Sequence, residues 1–99
     1  MYVDILSSAV DDWVSDLSLA DLVDYAVLCR QAMLAAPARH KVVAVTTLAA
    51  EIAYDRALIA LCTSLGIDAH ATNFAYPEKE RRRVERVLAE AGINLAAPS

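Results

Sequence analysis

The chain has 99 residues, a net charge of −4 and 58% hydrophobic residues, which supports one domain with one modest core. Only six aromatic residues are present, so that core is mostly aliphatic and alanine. With two glycines in all, at 66 and 92, no glycine-rich phosphate loop can form, and no long β-branched alternation exists to build a sheet. The apolar run over residues 42–65 is long enough to span a bilayer. Glu51, Asp55 and Arg56 stand within it, however, and each charge costs ~2.5–3.5 kcal/mol at a bilayer centre. No basic stretch precedes an apolar run at the amino terminus, which argues against a secretory signal. Cys29 and Cys62 are isolated within apolar segments and read as buried, reduced thiols. The expectation is a cytoplasmic protein with no membrane contact.

Val3, Leu6, Val10, Trp13 and Leu17 recur at alternating steps of three and four, which predicts an amphipathic first helix of about four turns. Trp13 lies mid-seam and is the expected anchor of that helix. Asp11, Asp12 and Asp16 fall near its carboxyl end, where the helix dipole disfavours acids. Ser18 then reads as an N-cap, with Asp21 three residues on in the position of a capping box. A second helix follows over about residues 19–35, with Leu19, Leu22, Ala26, Cys29 and Met33 as its seam and Val23, Val27 and Leu34 widening it. Tyr25 and Leu28 interrupt its polar side and form a candidate interface.

Pro37 breaks the chain over residues 36–39. The central element is the third helix, about residues 40–65, which runs without glycine or proline. At ~100° per residue, His40, Thr47, Glu51, Tyr54 and Asp55 share a stripe that reads as the wet face. Beyond Leu58 the same stripe turns apolar, so the second half of the helix should be enclosed by the other elements. Arg56 projects on a side that should be dry. A buried guanidinium requires partners, because an unpaired one costs several kcal/mol (order of magnitude). A structural ion pair to Asp16 or Asp24 is the favoured reading over an anion-binding arginine.

Gly66 should end this helix as a C′ glycine, with Ile67 making the hydrophobic contact of a Schellman motif. Residues 68–76 lack helical periodicity and read as an ordered loop held to the core by Ile67, Phe74 and Tyr76. Pro77 fits the first position of a last helix, with Glu78 and Glu80 in its favourable first turn. Val84, Val87, Leu88 and Ala91 form its apolar stripe, and Gly92 closes it. Residues 93–99 make a carboxyl-terminal tail whose Ile93 and Leu95 fold back.

The sum is an all-α, compact four-helix domain over residues 1–99, built around the long third helix with antiparallel up-down connections. Its chemistry is sparse. Glu51 and Asp55 share a helix face, but a ferritin-like site would add Glu-x-x-His motifs, which are absent. His40 and His70 have no partner at metal-ligand spacing. No enzyme, cofactor or metal is expected. The basic run Lys79, Arg82, Arg83 and Arg86, with Arg81, is a candidate anion-binding surface. Glu78, Glu80, Glu85 and Glu90 interleave with it, giving i,i+4 pairs Glu78–Arg82, Arg81–Glu85 and Arg86–Glu90, the pattern of a solvated face. Residues 1–28 also carry six aspartates and no base, a surface that repels nucleic acid. The expected function is therefore a small protein-interaction or regulatory module that binds another protein and forms a homodimer. The competing reading is a nucleic-acid-associated regulator working through the basic last helix.

Overall fold

The structure, a computed structural model, describes residues 2–13, 16–35 and 44–96, with side chains from residue 48 onward in the last stretch. These residues form α1 (Tyr2–Asp12), α2 (Leu19–Ala35), α3 (Ala44–Leu65) and α4 (Pro77–Glu90), with a short 3-10 helix, Ala71–Ala75, inside the expected loop. No strand occurs among them. The break at residues 36–39, the His40 start of the central helix and the last residues of the tail, 97–99, lie outside the described residues. Among the described residues no helix is long and apolar enough to cross a membrane.

The helix ends follow local chemistry. Ser18 caps α2: the amide of Asp21 donates to Ser18 Oγ at 3.2 Å, and the amide of Leu22 to the Ser18 carbonyl at 2.8 Å. Gly66, at φ +72°, ends α3 in a Schellman motif. The Ile67 amide reaches the Cys62 carbonyl at 2.8 Å, and the Gly66 amide the Thr63 carbonyl at 3.2 Å. Gly92, at φ +94°, repeats this beyond α4, with Ile93 donating to Leu88 at 2.8 Å and Gly92 to Ala89 at 3.0 Å. Pro77 opens α4 at its first turn. His70 and Asn73 brace the 3-10 helix through two mutual bonds: the His70 amide donates to Asn73 Oδ1 at 3.0 Å, and the Asn73 amide to the His70 carbonyl at 2.9 Å.

α1 is shorter than its seam suggested. It ends at Asp12, with two adjacent acids in the last turn and no base there to offset the dipole. Trp13 therefore leaves the seam and sits half-buried beyond the helix, and Leu17 is exposed.

α3 is the axis of the packing, flanked by two apolar clusters. On one side Leu6 of α1, Ile59 of α3 and Phe74 of the 3-10 helix are buried together, with Tyr2, Val10 and Ile52 around them. On the other, Leu22, Ala26 and Cys29 of α2 and Val84 and Leu88 of α4 close over Tyr54, Leu58, Leu61 and Cys62. Leu95 is buried in this cluster too, so the tail folds back as its pattern required. Tyr76 does not hold the loop to the core. It is 77% exposed, and Phe74 and Ala69 fill that place.

The stripe of α3 read as wet is largely enclosed over residues 51–55, where its side chains are described. Tyr54 and Asp55 are fully buried, and the Glu51 side chain is only 33% exposed. Periodicity alone placed these polar groups outward. Partners delivered by α1 and α4 reverse that, because a hydrogen-bonded, charge-matched group can be enclosed without the full desolvation cost.

Candidate functional site

Asp55 is the centre of the largest polar cluster. Arg81 of α4 grips it from both sides, Nε to Oδ1 at 2.6 Å and a terminal nitrogen to Oδ2 at 2.9 Å. This is the fork geometry that makes Arg–carboxylate pairs strong. The Tyr2 hydroxyl of α1 also donates to Oδ2, and Glu51 stands 3.9 Å from the other Arg81 terminal nitrogen. Burial and the neighbouring carboxylate push the Tyr2 phenol well above the usual tyrosine range. The Asp55 carboxylate, in turn, holds the Arg81 guanidinium firmly in its charged form despite burial. Three elements thus meet on one carboxylate whose oxygens are already filled, which makes it a structural clasp.

A second clasp lies one residue away. The Tyr54 hydroxyl donates to Glu85 Oε2 of α4, and Arg30 Nε of α2 reaches the same oxygen at 3.1 Å. Burial raises the Tyr54 phenol, reinforced by the Glu85 carboxylate. A third pair joins Arg83 to Glu80 at 2.9 and 2.6 Å, with Glu80 buried. One of the i,i+4 pairs expected on α4, Arg81–Glu85, is thereby replaced. Arg81 turns to Asp55 rather than Glu85, and Glu85 turns to Arg30, because each finds a better-ordered partner on another helix.

Arg56 does not meet the carboxylate expected for it. Asp16 and Asp24 are exposed, and among the described residues neither pairs with Arg56. Its guanidinium lies 4.3 Å from the centroid of the Trp13 ring and donates to the Tyr25 hydroxyl at 3.1 Å. The Trp13 and Tyr25 rings are 5.7 Å apart. A cation over an indole face keeps part of its electrostatic compensation without an anion. Arg56 Nε is buried and finds no partner among the described residues. Tyr25, read as part of a candidate interface, is half-buried in this aromatic cluster. Leu28 remains 63% exposed, and Leu34, read as part of the seam, is 62% exposed.

Cys29 and Cys62 are free and buried, and burial raises both thiols, away from reactivity. His70 is exposed and meets Asp68 at 2.7 Å. No group of three or more His, Cys, Asp or Glu able to hold a metal ion occurs among the described residues.

Lys79, Arg82, Arg83 and Arg86 come together on the outer side of α4. With Asn73, Tyr76 and Glu80 they line an open groove of about 460 Å³. A second hollow of about 520 Å³ shares Tyr76, Lys79 and Arg82 but adds Glu51 and Glu78, so its charge is mixed. The tertiary partners Tyr2, Arg30, Glu85 and Arg81 were missed from sequence. Arg81 alone left a readable trace, since it stands three and seven residues before Val84 and Leu88, on the apolar stripe of α4. Comparison with protein family models, curated proteins and solved structures returns no match.

Proposed function

We propose that the protein is a small, non-enzymatic interaction module that pairs with a second copy of itself through the outer face of α2. The observation that carries this reading is the exposure of Leu28 on a helix whose main packing partner is α3. On an ideal helix, Ala20, Asp24, Val27, Leu28, Gln31 and Ala35 lie away from the buried Leu22, Ala26 and Cys29. The face is mostly apolar, with small residues at both ends.

The pattern also suits its own copy. An antiparallel pair crossing between Val27 and Leu28 sets Ala20 against Ala35, where close approach is easy. It sets Asp24 against Gln31, a carboxylate against an amide donor. It places Leu28 beside the same residue of the second copy. A two-fold interface requires such self-complementarity. The protomer is already a finished fold: its radius of gyration of 13.0 Å is that of a folded chain of this length, for which size scaling gives about 13 Å. Pairing then joins complete protomers, and the equilibrium responds to concentration. A non-enzymatic function is supported by the buried Asp55, Glu80 and Arg81 being engaged with partners within the fold.

Light scattering across roughly a hundredfold dilution tests the proposal. The expected result is a mass moving from twice 10.7 kDa towards 10.7 kDa as the protein is diluted. Leu28→Asp should hold the lower mass throughout, since it puts a charge at the crossing point while leaving the core untouched. A wild-type mass near 10.7 kDa at every concentration removes the dimer.

A further inference from the structure

Along the sequence of α4 the two signs of charge alternate, and in space two of its four acids, Glu80 and Glu85, are taken up by partners within the fold. Glu80 is folded under Arg83, and Glu85 is turned to Arg30 and Tyr54. Arg81, the one base on the inner side, is spent on Asp55. What remains along the middle of the outer side is Lys79, Arg82 and Arg86, spaced i, i+3, i+7 opposite Val84 and Leu88, with the exposed Glu78 and Glu90 towards the two ends of the helix. None of the three has a carboxylate within ion-pair distance among the described residues. At a rise of 1.5 Å per residue this ridge is about 10 Å long. Just before α4 stands Tyr76, 77% exposed, which lines the groove together with Asn73 and Lys79.

We infer that this groove binds single-stranded nucleic acid, with phosphates on Lys79, Arg82 and Arg86 and a base stacked on Tyr76. The pairing of a cationic track with an aromatic platform is what strand binding without sequence preference requires. The exposed ring offers a flat face, and an unstacked base has the face to stack on it. A duplex offers no free base face, so the ring selects against it. An acidic polypeptide satisfies the cations but leaves the ring uncovered. The net charge of −4 does not forbid binding. No α1 or α2 residue lines the groove, and screening over about 8 Å at physiological ionic strength leaves the nearest charges to govern contact.

The experiment is fluorescence anisotropy of a labelled oligothymidylate of about 20 nucleotides with the intact protein. Saturable binding is expected at 50 mM salt, weakening roughly 20-fold at 200 mM if three phosphates are contacted. Lys79→Glu, Arg82→Glu and Arg86→Glu combined should abolish binding with the circular dichroism spectrum unchanged, since none of the three is ion-paired among the described residues. Tyr76→Ala should weaken binding about tenfold, the scale of one base–aromatic stack. Polyglutamate of similar length should fail to displace the oligonucleotide. No binding at 50 mM, or full binding by the folded triple variant, overturns the inference. Displacement by polyglutamate as effective as by unlabelled oligonucleotide overturns it in favour of an acidic protein partner. An unaltered Tyr76→Ala affinity overturns the stacking contact.

Discussion

Arg81 and Arg56 both lay a guanidinium against the middle of the fold, and they are neutralised in opposite ways. Arg81 reaches a buried carboxylate and takes it in a two-pronged grip, at 2.6 and 2.9 Å. Among the described residues Arg56 meets no carboxylate; it rests on the Trp13 indole, with one bond to a phenol and one buried nitrogen unmet. The reason is topological. α4 crosses α3 at Asp55, whereas the acids nearest Arg56 in expectation, Asp16 and Asp24, face water. A carboxylate gains little by leaving water for a single cation unless several donors receive it together. Asp55 has two elements donating to it; Asp16 and Asp24 have no such reception.

The contrast can be broken most forcefully at Arg81. Arg81→Ala leaves the Asp55 charge buried with only the Tyr2 hydroxyl for company, and should cost ~3–5 kcal/mol. Chemical denaturation of the two proteins measures it directly. Replacing both partners, as Asp55→Leu with Arg81→Met, should recover most of that loss, since a packed apolar pair avoids the desolvation of two charges. If Arg81→Ala costs less than about 1 kcal/mol, the pair does not hold α4 to α3.

This difference also marks how far the sequence could be read. Several helix ends were legible because they depend on neighbours in the chain: Ser18 with Asp21, Leu65–Gly66–Ile67 and Pro77 all do what their local chemistry dictates, whereas α1 stops short of its seam. The enclosed second half of α3 was legible from its apolar periodicity, and Ala57, Leu58, Leu61 and Cys62 are fully buried. Partners across the fold were not. Arg30 and Glu85 are 55 positions apart, and nothing local distinguishes their bond from the i,i+4 pairs that α4 also permits. The same gap hid the candidate groove. Lys79, Arg82, Arg83 and Arg86 were visible as a run, but Glu80 and Glu85 diluted it until the fold drew those acids aside.

The clasp around α3 should announce itself at high pH. Tyr2 and Tyr54 are raised above the unfolded phenol value of about 10, so the native state keeps protons that the unfolded chain surrenders. Stability present below about pH 10 is therefore lost as pH rises further, by up to ~1.4 kcal/mol per pH unit for each phenol. Tyr54, fully buried, carries the larger share, and the half-buried Tyr2 is moderated by solvent. Denaturation midpoints between pH 9 and 11 should show this fall, and Tyr54→Phe should remove most of its slope. A slope identical in Tyr54→Phe means that the Tyr54–Glu85 bond is not what the alkaline transition breaks.

Arg56 should give the smallest response. Its hydrogen bond to Tyr25 and its place over Trp13 favour the native state, by about 1.5 kcal/mol for a charged bond and ~0.5–1 kcal/mol for an accessible cation–π contact. Against these stands the buried Nε–H without an acceptor, which costs about 1–3 kcal/mol. The two sides nearly cancel. Arg56→Met retains an unbranched apolar stem for the same contacts with Trp13 and Tyr25, and it removes both the gain and the unmet donor. Stability should shift by about 1 kcal/mol or less in either direction. Trp13 is the only tryptophan, so its emission reports the loss of the overlying charge and should change in wavelength or yield even where stability does not. A destabilisation near that of Arg81→Ala would mean that a carboxylate meets Arg56 in solution, and the distinction between the two arginines would collapse.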